Sequence, residues 1–316
     1  MVIKILDRAT LGADTPIELL SDLGELEICE TSTSAEAKKR IVGADVVIIN
    51  KVKLTREIIS CSDKLRLICV FATGFDNVDL NASRERGIAV CNVPGYSSDS
   101  VALITASTVL SLITHLSVFN EFVKSGEYTK SGTPNRLVPV FHELTGKTWG
   151  IVGYGGIGSA VGRIAKAFGV RLIVNKRTDI DGVECVDIDT LCKESDIITL
   201  HCPLNDSTRH LINRERLSLM KSKAILVNEA RGDVVNETDV VDAVLSGKLA
   251  GYGCDVYSTE PFGIDHPYNK IKDLPNVILT PHCAWGSYEA RVRCLNIIIE
   301  NIKAYYNGDI KNRVDI

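Results

Sequence analysis

The run TWGIVGYGGIGSAVGRIAKAF, Thr148 to Phe168, constrains the fold more than any other stretch of this chain. Its first part reads as a short buried strand. Ala160, Val161, Ile164, Ala165 and Phe168 then fall on one face of a helix. Between the two, Gly153, Gly155 and Gly158 take the G-x-G-x-x-G spacing. The first glycine permits a tight turn, the second lets the backbone approach a pyrophosphate, and the third lets the helix pack on the strand. The helix N-terminus then offers N–H groups and a positive dipole end to phosphates. Glycine-rich turns are common by themselves; the flanking strand and helix make this one a dinucleotide-site candidate.

The next strand should end in an acid that holds the ribose 2′-hydroxyl, about 20 residues on. LIVNKRTD, Leu172 to Asp179, instead ends in two cations, and Lys176 lies 18 residues after Gly158. An acid there would repel a 2′-phosphate. Lys176 and Arg177 would bind one, with Thr178 as a further donor. The plainer reading is a solvated strand end, with Asp179 or Asp181 reaching the ribose.

Short apolar runs alternate with helical patterns along all 316 residues, as in α/β folds with parallel sheets. The first half offers strands from Val2, Glu25, Asp45, Leu65 and Ile88. The second offers six: TWGIVGY, RLIVNK, DIITLH, AILVNEA, AGYGCDV and NVILTPH. The length suits two domains. The second begins near an uncharged helix and ends near His282, and an amphipathic helix, RCLNIIIENIKAYYNG, closes the chain. Periodicity leaves open which domain that last helix joins.

The uncharged helix, Val101 to Phe119, carries six Ser/Thr and His115, so burial between domains or subunits suits it better than a membrane. The N-terminus has no signal-peptide pattern. A formal net charge of −4 favours neither nucleic acid nor anionic lipid as partner. Ten cysteines lack zinc-ligand spacing, so reduced thiols in a cytoplasm are expected, with no metal; Cys202 and Cys283 read as small hydrophobes rather than nucleophiles.

Ligands of open α/β sheets bind beyond the carboxyl ends of the strands. Those ends here carry the glycine loop, Lys176, His201, Arg231, Asp255 and His282. Of the other histidines, His115 reads as a core residue, and His142, His210 and His266 as surface loop residues. Hydride transfer to a 2-oxo acid needs a cation for the carboxylate, an acid for the carbonyl oxygen and a carboxylate that orients that acid. Arg231, His282 and Glu260 could fill these roles.

These residues lie in GKTWGIVGYGGIG, NEARGDVVNE, DVYSTEP and TPHCAW, which together resemble the D-isomer-specific 2-hydroxyacid dehydrogenases over essentially the whole chain. The resemblance implies a flavodoxin-like substrate domain, 1–98 and 287–316, and a Rossmann dinucleotide domain, 99–286. It implies that Arg231 binds the carboxylate and polarises the carbonyl, that His282 is the acid/base and that Glu260 is its partner. Thr73 and Gly74 would give backbone N–H groups to the carboxylate. Gly156 and Ile157 would lie on the pyrophosphate, His201 and Pro203 along the cofactor, and Asp255 at the nicotinamide amide. A homodimer is expected, with the uncharged helix in its interface.

Where that family's usual ribose acid stands, this chain has Lys176, so NADP is expected over NAD. Val70 stands where phosphoglycerate dehydrogenases often carry an Arg, which argues against a phosphorylated substrate; Glu260 stands where the similar formate dehydrogenases have Gln. PHCAW is most similar to the glycerate/hydroxypyruvate group, with Trp285 as a pocket wall. Hydroxypyruvate or glyoxylate is therefore the first substrate expected. Reduction of lactate-type or bulkier apolar 2-oxo acids is the alternative, and a dinucleotide-sensing binding protein similar to the family's co-repressor relatives is another.

Overall fold

The computed structural model describes residues 1–178 and 180–316. The chain divides into two units, Met1–Ser97 with Gly286–Ile316, and Ser98–Trp285.

In the first unit β1 (Val2–Ile5), β2 (Glu25–Ile28), β3 (Val46–Ile49), β4 (Leu67–Val70) and β5 (Ala89–Cys91) form a parallel sheet ordered β2-β1-β3-β4-β5. This is the flavodoxin-like order. VVII and LICV are buried at every position, because helices cover both faces of a parallel sheet. β2, at the edge, exposes Glu25 and Glu27. Helix α1 (Ser34–Arg40) starts on a capping box between Thr33 and Glu36. The short helices α2 (Arg56–Ile59) and α3 (Leu80–Glu85) follow β3 and β4. The C-terminal helix, Tyr288–Tyr306, buries Ala290, Cys294, Leu295, Ile298 and Ile302 at helical spacing in this unit. Its Arg291 pairs with Asp14 at 2.9 Å, and Asn301 donates to Asn92 O at 3.0 Å.

The second unit opens with α4 (Ser98–Thr114), α5 (Leu116–Lys124) and α6 (Glu127–Ser131). Then come β6 (Thr148–Val152), α7 (Gly156–Ala167), β7 (Arg171–Asn175) and β8 (Glu184–Cys185). The rest is α8 (Ile188–Glu194), β9 (Ile197–Leu200), α9 (Arg214–Leu219), β10 (Ala224–Asn228), α10 (Glu237–Leu245), β11 (Leu249–Cys254) and β12 (Val277–Leu279). The parallel sheet runs β12-β11-β10-β9-β6-β7-β8. Counted from β6, that is the doubly wound dinucleotide order with one strand added. Its direction reverses between β6 and β9, the crevice position for a ligand.

Two sequence expectations need correction here. β8 has only two residues and carries no readable pattern, so the sheet has seven strands rather than six. The uncharged helix is not continuous to Phe119. It begins at Ser98 and breaks at His115, which takes a left-handed φ of 52° and sits half-buried rather than in the core. α4 packs closely on β11 because Gly253 has no side chain: a Cβ there would lie 2.3 Å from Thr108 Cγ2. Among the described residues no single helix is long and apolar enough to cross a membrane. α4 and α5 reach that measure only together, and they bend by 66°.

Candidate active site

The glycine loop behaves as its spacing predicts. Gly153 has φ +86°, and a Cβ there would lie 2.7 Å from Cys202 N. A Cβ on Gly158 would lie 2.1 Å from Gly153 O, so the third glycine lets α7 sit on β6. A Cβ on Gly155 would meet nothing within 4 Å, so there is room above the second. Gly156 and Ile157 open α7, where first-turn N–H groups have no partner inside the helix.

Lys176, Arg177 and Thr178 follow β7 directly and are exposed. Gly153 N donates to Asn175 O at 3.0 Å, so Lys176 leaves the sheet beside the glycine turn. Among the described residues neither Lys176 nor Arg177 forms an ion pair. Asp181 is exposed, and Asp179 lies outside the described residues.

His282 Nδ1 lies 2.6 Å from Glu260 Oε2, with both side chains about a quarter exposed at 24% and 30%. His282 takes a left-handed φ of 53°, which His tolerates better than most residues. Its turn is held from all sides. His282 N donates to Thr280 O at 3.0 Å, and Trp285 Nε1 to His282 O at 2.9 Å. The Asp255 carboxylate accepts from Thr280 Oγ1 at 2.5 Å and from Cys283 N and Ala284 N at 2.9 Å each. Glu260 Oε1 in turn accepts from Tyr257 N at 3.0 Å.

Arg231 leaves β10 in extended conformation, with Asn228 Nδ2 donating to its carbonyl at 3.0 Å and its own Nη1 donating to Ala230 O at 2.8 Å. The next residue, Gly232, touches the peptide between Tyr257 and Ser258: a Cβ would lie 2.0 Å from Tyr257 C. Tyr257 also donates from its hydroxyl to Thr280 O at 2.8 Å. Tyr257 thus ties together the loops that carry Arg231, Glu260 and His282. Gly232→Ala must push that peptide aside. It should lower Tm and reduce kcat by about tenfold or more, measured by thermal melting and steady-state kinetics; wild-type values for both would remove Gly232 from this account.

Behind the loop, Glu237 accepts from Ser258 N at 3.0 Å and Ser258 Oγ at 2.7 Å. His266 Nε2 lies 3.0 Å from Glu237 Oε2 with its side chain only 6% exposed. His266 is therefore a packed residue, not the surface loop residue its sequence context suggested. His142 and His210 are exposed as expected.

A sequence profile described as the D-isomer specific 2-hydroxyacid dehydrogenase NAD binding domain matches residues 106–284. The chain belongs to the D-isomer-specific 2-hydroxyacid dehydrogenase family. A hydroxypyruvate reductase of Blautia hydrogenotrophica is 35% identical over all of both chains. An acyclic imino acid reductase in complex with NADPH and D-Arg superposes with a TM-score of 0.86 at 31% identity, over 99% of this chain and 100% of that one. A D-lactate dehydrogenase from Aquifex aeolicus, with NAD and lactic acid, has a TM-score of 0.86 at 30% identity, over 100% and 99%.

The protein is thus an NAD(P)-dependent 2-hydroxyacid dehydrogenase, whose ligands are a dinucleotide and a small 2-oxo or 2-hydroxy acid. Its glycine loop fits that dinucleotide, with open space at Gly155 and close packing at Gly153 and Gly158. Of the remaining sequence candidates, Pro203 is exposed in the loop after β9. His201 keeps some surface, but both ring nitrogens are covered without a partner among the described residues, and burial lowers its pKa to about 3. Cys202 is buried, which pushes it up to about 11; Cys283 is exposed rather than the buried hydrophobe its sequence suggested, and partial desolvation, then the nearby Asp255, raises it, so neither favours a thiolate at neutral pH. Thr73 and Gly74 lie after β4 in the other unit. Thr73 Oγ1 donates to Val93 O at 2.8 Å, and Asn92 Nδ2 donates to Thr73 O at 2.8 Å.

Glu229 was missed in the sequence. It is 7% exposed, its Oε2 is covered and has no hydrogen-bond partner among the described residues. Burial, then the nearby Asp255, raises it from its ordinary 4.5 to about 9. A raised acid binds its proton more tightly when folded, so its stabilising contribution is complete below about pH 4.5 and is lost as pH rises toward about 9. Glu229→Gln should therefore flatten the fall of Tm between about pH 6 and about pH 9. Parallel wild-type and variant curves would contradict this.

Proposed function

We propose that this dehydrogenase reduces a small 2-oxo acid with NADPH, hydroxypyruvate or glyoxylate before others, to the D-2-hydroxy acid. What supports the reading is the 2.6 Å contact between His282 Nδ1 and Glu260 Oε2. It fixes the imidazole with a carboxylate at Nδ1, and in this reading Nε2 exchanges the proton. His282 gives that proton to the carbonyl oxygen, while Glu260 stabilises the charged ring before the transfer. Arg231 grips the substrate carboxylate and polarises the carbonyl, as a guanidinium fork suits. Thr73 and Gly74 add backbone N–H groups to the carboxylate, and Trp285 walls the pocket. When bound, the nicotinamide supplies the hydride.

In this reading Ser98–Trp285 is the dinucleotide domain and the other unit carries the substrate loop. Gly153, Gly155, Gly156, Ile157 and Gly158 hold the pyrophosphate, Lys176, Arg177 and Thr178 the 2′-phosphate, and His201, Pro203 and Asp255 the nicotinamide side. A cytoplasmic homodimer is part of the same reading, with α4 and α5 at its interface. α5 exposes Leu116 and Val123, which suits a covered face.

A substrate panel tests the choice of acid. Hydroxypyruvate or glyoxylate should give the highest kcat/KM with NADPH. Preference for pyruvate or phenylpyruvate would move the protein to the lactate-type or bulky-acid group instead.

A further inference from the structure

β9, β10 and β11 end in step. Asn228 pairs with Leu200 on one side and Cys254 on the other. The next residue on each strand, His201, Glu229 and Asp255, therefore stands in one row. The ladder extends into that row, with Asp255 N donating to Asn228 O at 3.1 Å and Glu229 N reaching Leu200 O at 3.4 Å. In a parallel ladder, residues of one row share a face. Thr280 continues the row beyond Asp255, and Gly153 beyond His201.

Most of this row already has work. Gly153 makes the turn, and Thr280 donates to Asp255. Asp255 accepts three hydrogen bonds, which leaves about one of a carboxylate's roughly four lone-pair directions. His201 and Glu229 are the exceptions: the ring nitrogens of the first and Oε2 of the second are covered with no hydrogen-bond partner among the described residues, and of the two Glu229 stands directly beside Asp255. A buried acid with an unused oxygen costs free energy, and such an atom in a native structure points to a partner that completes it.

The chemistry of the row suggests the partner. The glycine loop and Lys176 occupy the β6–β7 half of the crevice, which takes the adenosine side of a dinucleotide. The β9–β10–β11 half then takes the nicotinamide side. That ring carries a carboxamide, with an oxygen that accepts and an NH₂ that donates. Asp255 can only accept.

The geometry points to Glu229 as the hydrogen-bond donor to the nicotinamide carboxamide oxygen, acting as a neutral carboxylic acid beside an Asp255 carboxylate that takes the NH₂. An acid next to a carboxylate reads both ends of an amide, so one orientation of the ring satisfies both. Binding of NADPH then requires a proton on Glu229 and weakens when it ionises. The ionisable groups facing it are Asp255 and Cys254 from β11, and Tyr257 and Cys283 from the loops beyond, with His201 beside it from β9. Tyr257 and the two thiols are raised, Cys254 to about 12, and His201 is lowered to about 3. The Glu229 step, at about 9, lies between them.

This inference rests on the proposed placement of the nicotinamide side, and the test separates the two. Dissociation constants are measured by calorimetry for NADPH and for 2′-phospho-ADP-ribose, the same molecule without its nicotinamide. Wild type, Glu229→Gln and Glu229→Met are compared from about pH 7 to about pH 10. Wild type should hold NADPH more tightly than the fragment; equal affinities would sink the placement itself. Glu229→Met should lose about tenfold for NADPH at neutral pH and keep its affinity for the fragment. Glu229→Gln, which can still donate, should stay near wild type. Above about pH 9 wild-type affinity for NADPH should fall about tenfold per pH unit, and Glu229→Gln should not follow. Full retention of the NADPH advantage by Glu229→Met overturns the assignment and leaves the placement standing. So does an equal loss for both ligands. Were Glu229→Met unable to fold, a wild-type curve flat to about pH 10, or a Glu229→Gln curve that bends with it, would overturn it equally.

Discussion

His282→Ala is expected to lower kcat for reduction of a 2-oxo acid by on the order of 10² or more, since it removes the proposed general acid. The variant should still bind NADPH with near-normal affinity, because the glycine loop and β7 end are untouched. Glu260→Gln should give a smaller loss. It keeps a hydrogen-bonding group beside Nδ1 but removes the charge that stabilises the protonated ring. Near-normal turnover in His282→Ala would show that another group protonates the oxygen. Loss of cofactor binding along with turnover would instead mark a structural collapse of the turn that Asp255 and Trp285 hold.

Replacing Lys176 by Asp together with Arg177 by Ala should move cofactor preference toward NADH. The change removes two cations and installs an acceptor for the ribose 2′-hydroxyl. The ratio of kcat/KM with NADPH to that with NADH should drop by about tenfold or more, more at low ionic strength than at high, because exposed charges are screened by salt. An unchanged ratio would reduce both residues to solvated charges at a strand end.

The parts of this molecule that rest on local chemistry were legible in the sequence. Continuous apolar runs marked β3, β4 and β10, and the glycine spacing marked the turn between β6 and α7. Glu260 and His282, 22 residues apart in sequence, meet at 2.6 Å. What escaped was set by partners far along the chain. β8 exists because two residues pair with β7, which no pattern of two residues can reveal. The break at His115 needs a left-handed non-glycine residue, a conformation that sequence propensity argues against. His266 looked like a loop residue because the carboxylate that packs on it, Glu237, lies on α10. Glu229 was hidden inside a motif read for its arginine. Its burial and its place in the row with His201 and Asp255 follow from the register of three strands, which the sequence does not state.

The most direct test of the central claim is the wild-type rate of hydroxypyruvate reduction with each reduced cofactor at neutral pH, followed by nicotinamide absorbance, with the chirality of the product assigned. Oxidation of NADPH should be stoichiometric with formation of D-glycerate, with kcat/KM at least about tenfold above that with NADH. A preference for NADH would contradict the role given to Lys176 and Arg177, and no turnover on any 2-oxo acid with either cofactor would contradict the proposed function as a whole.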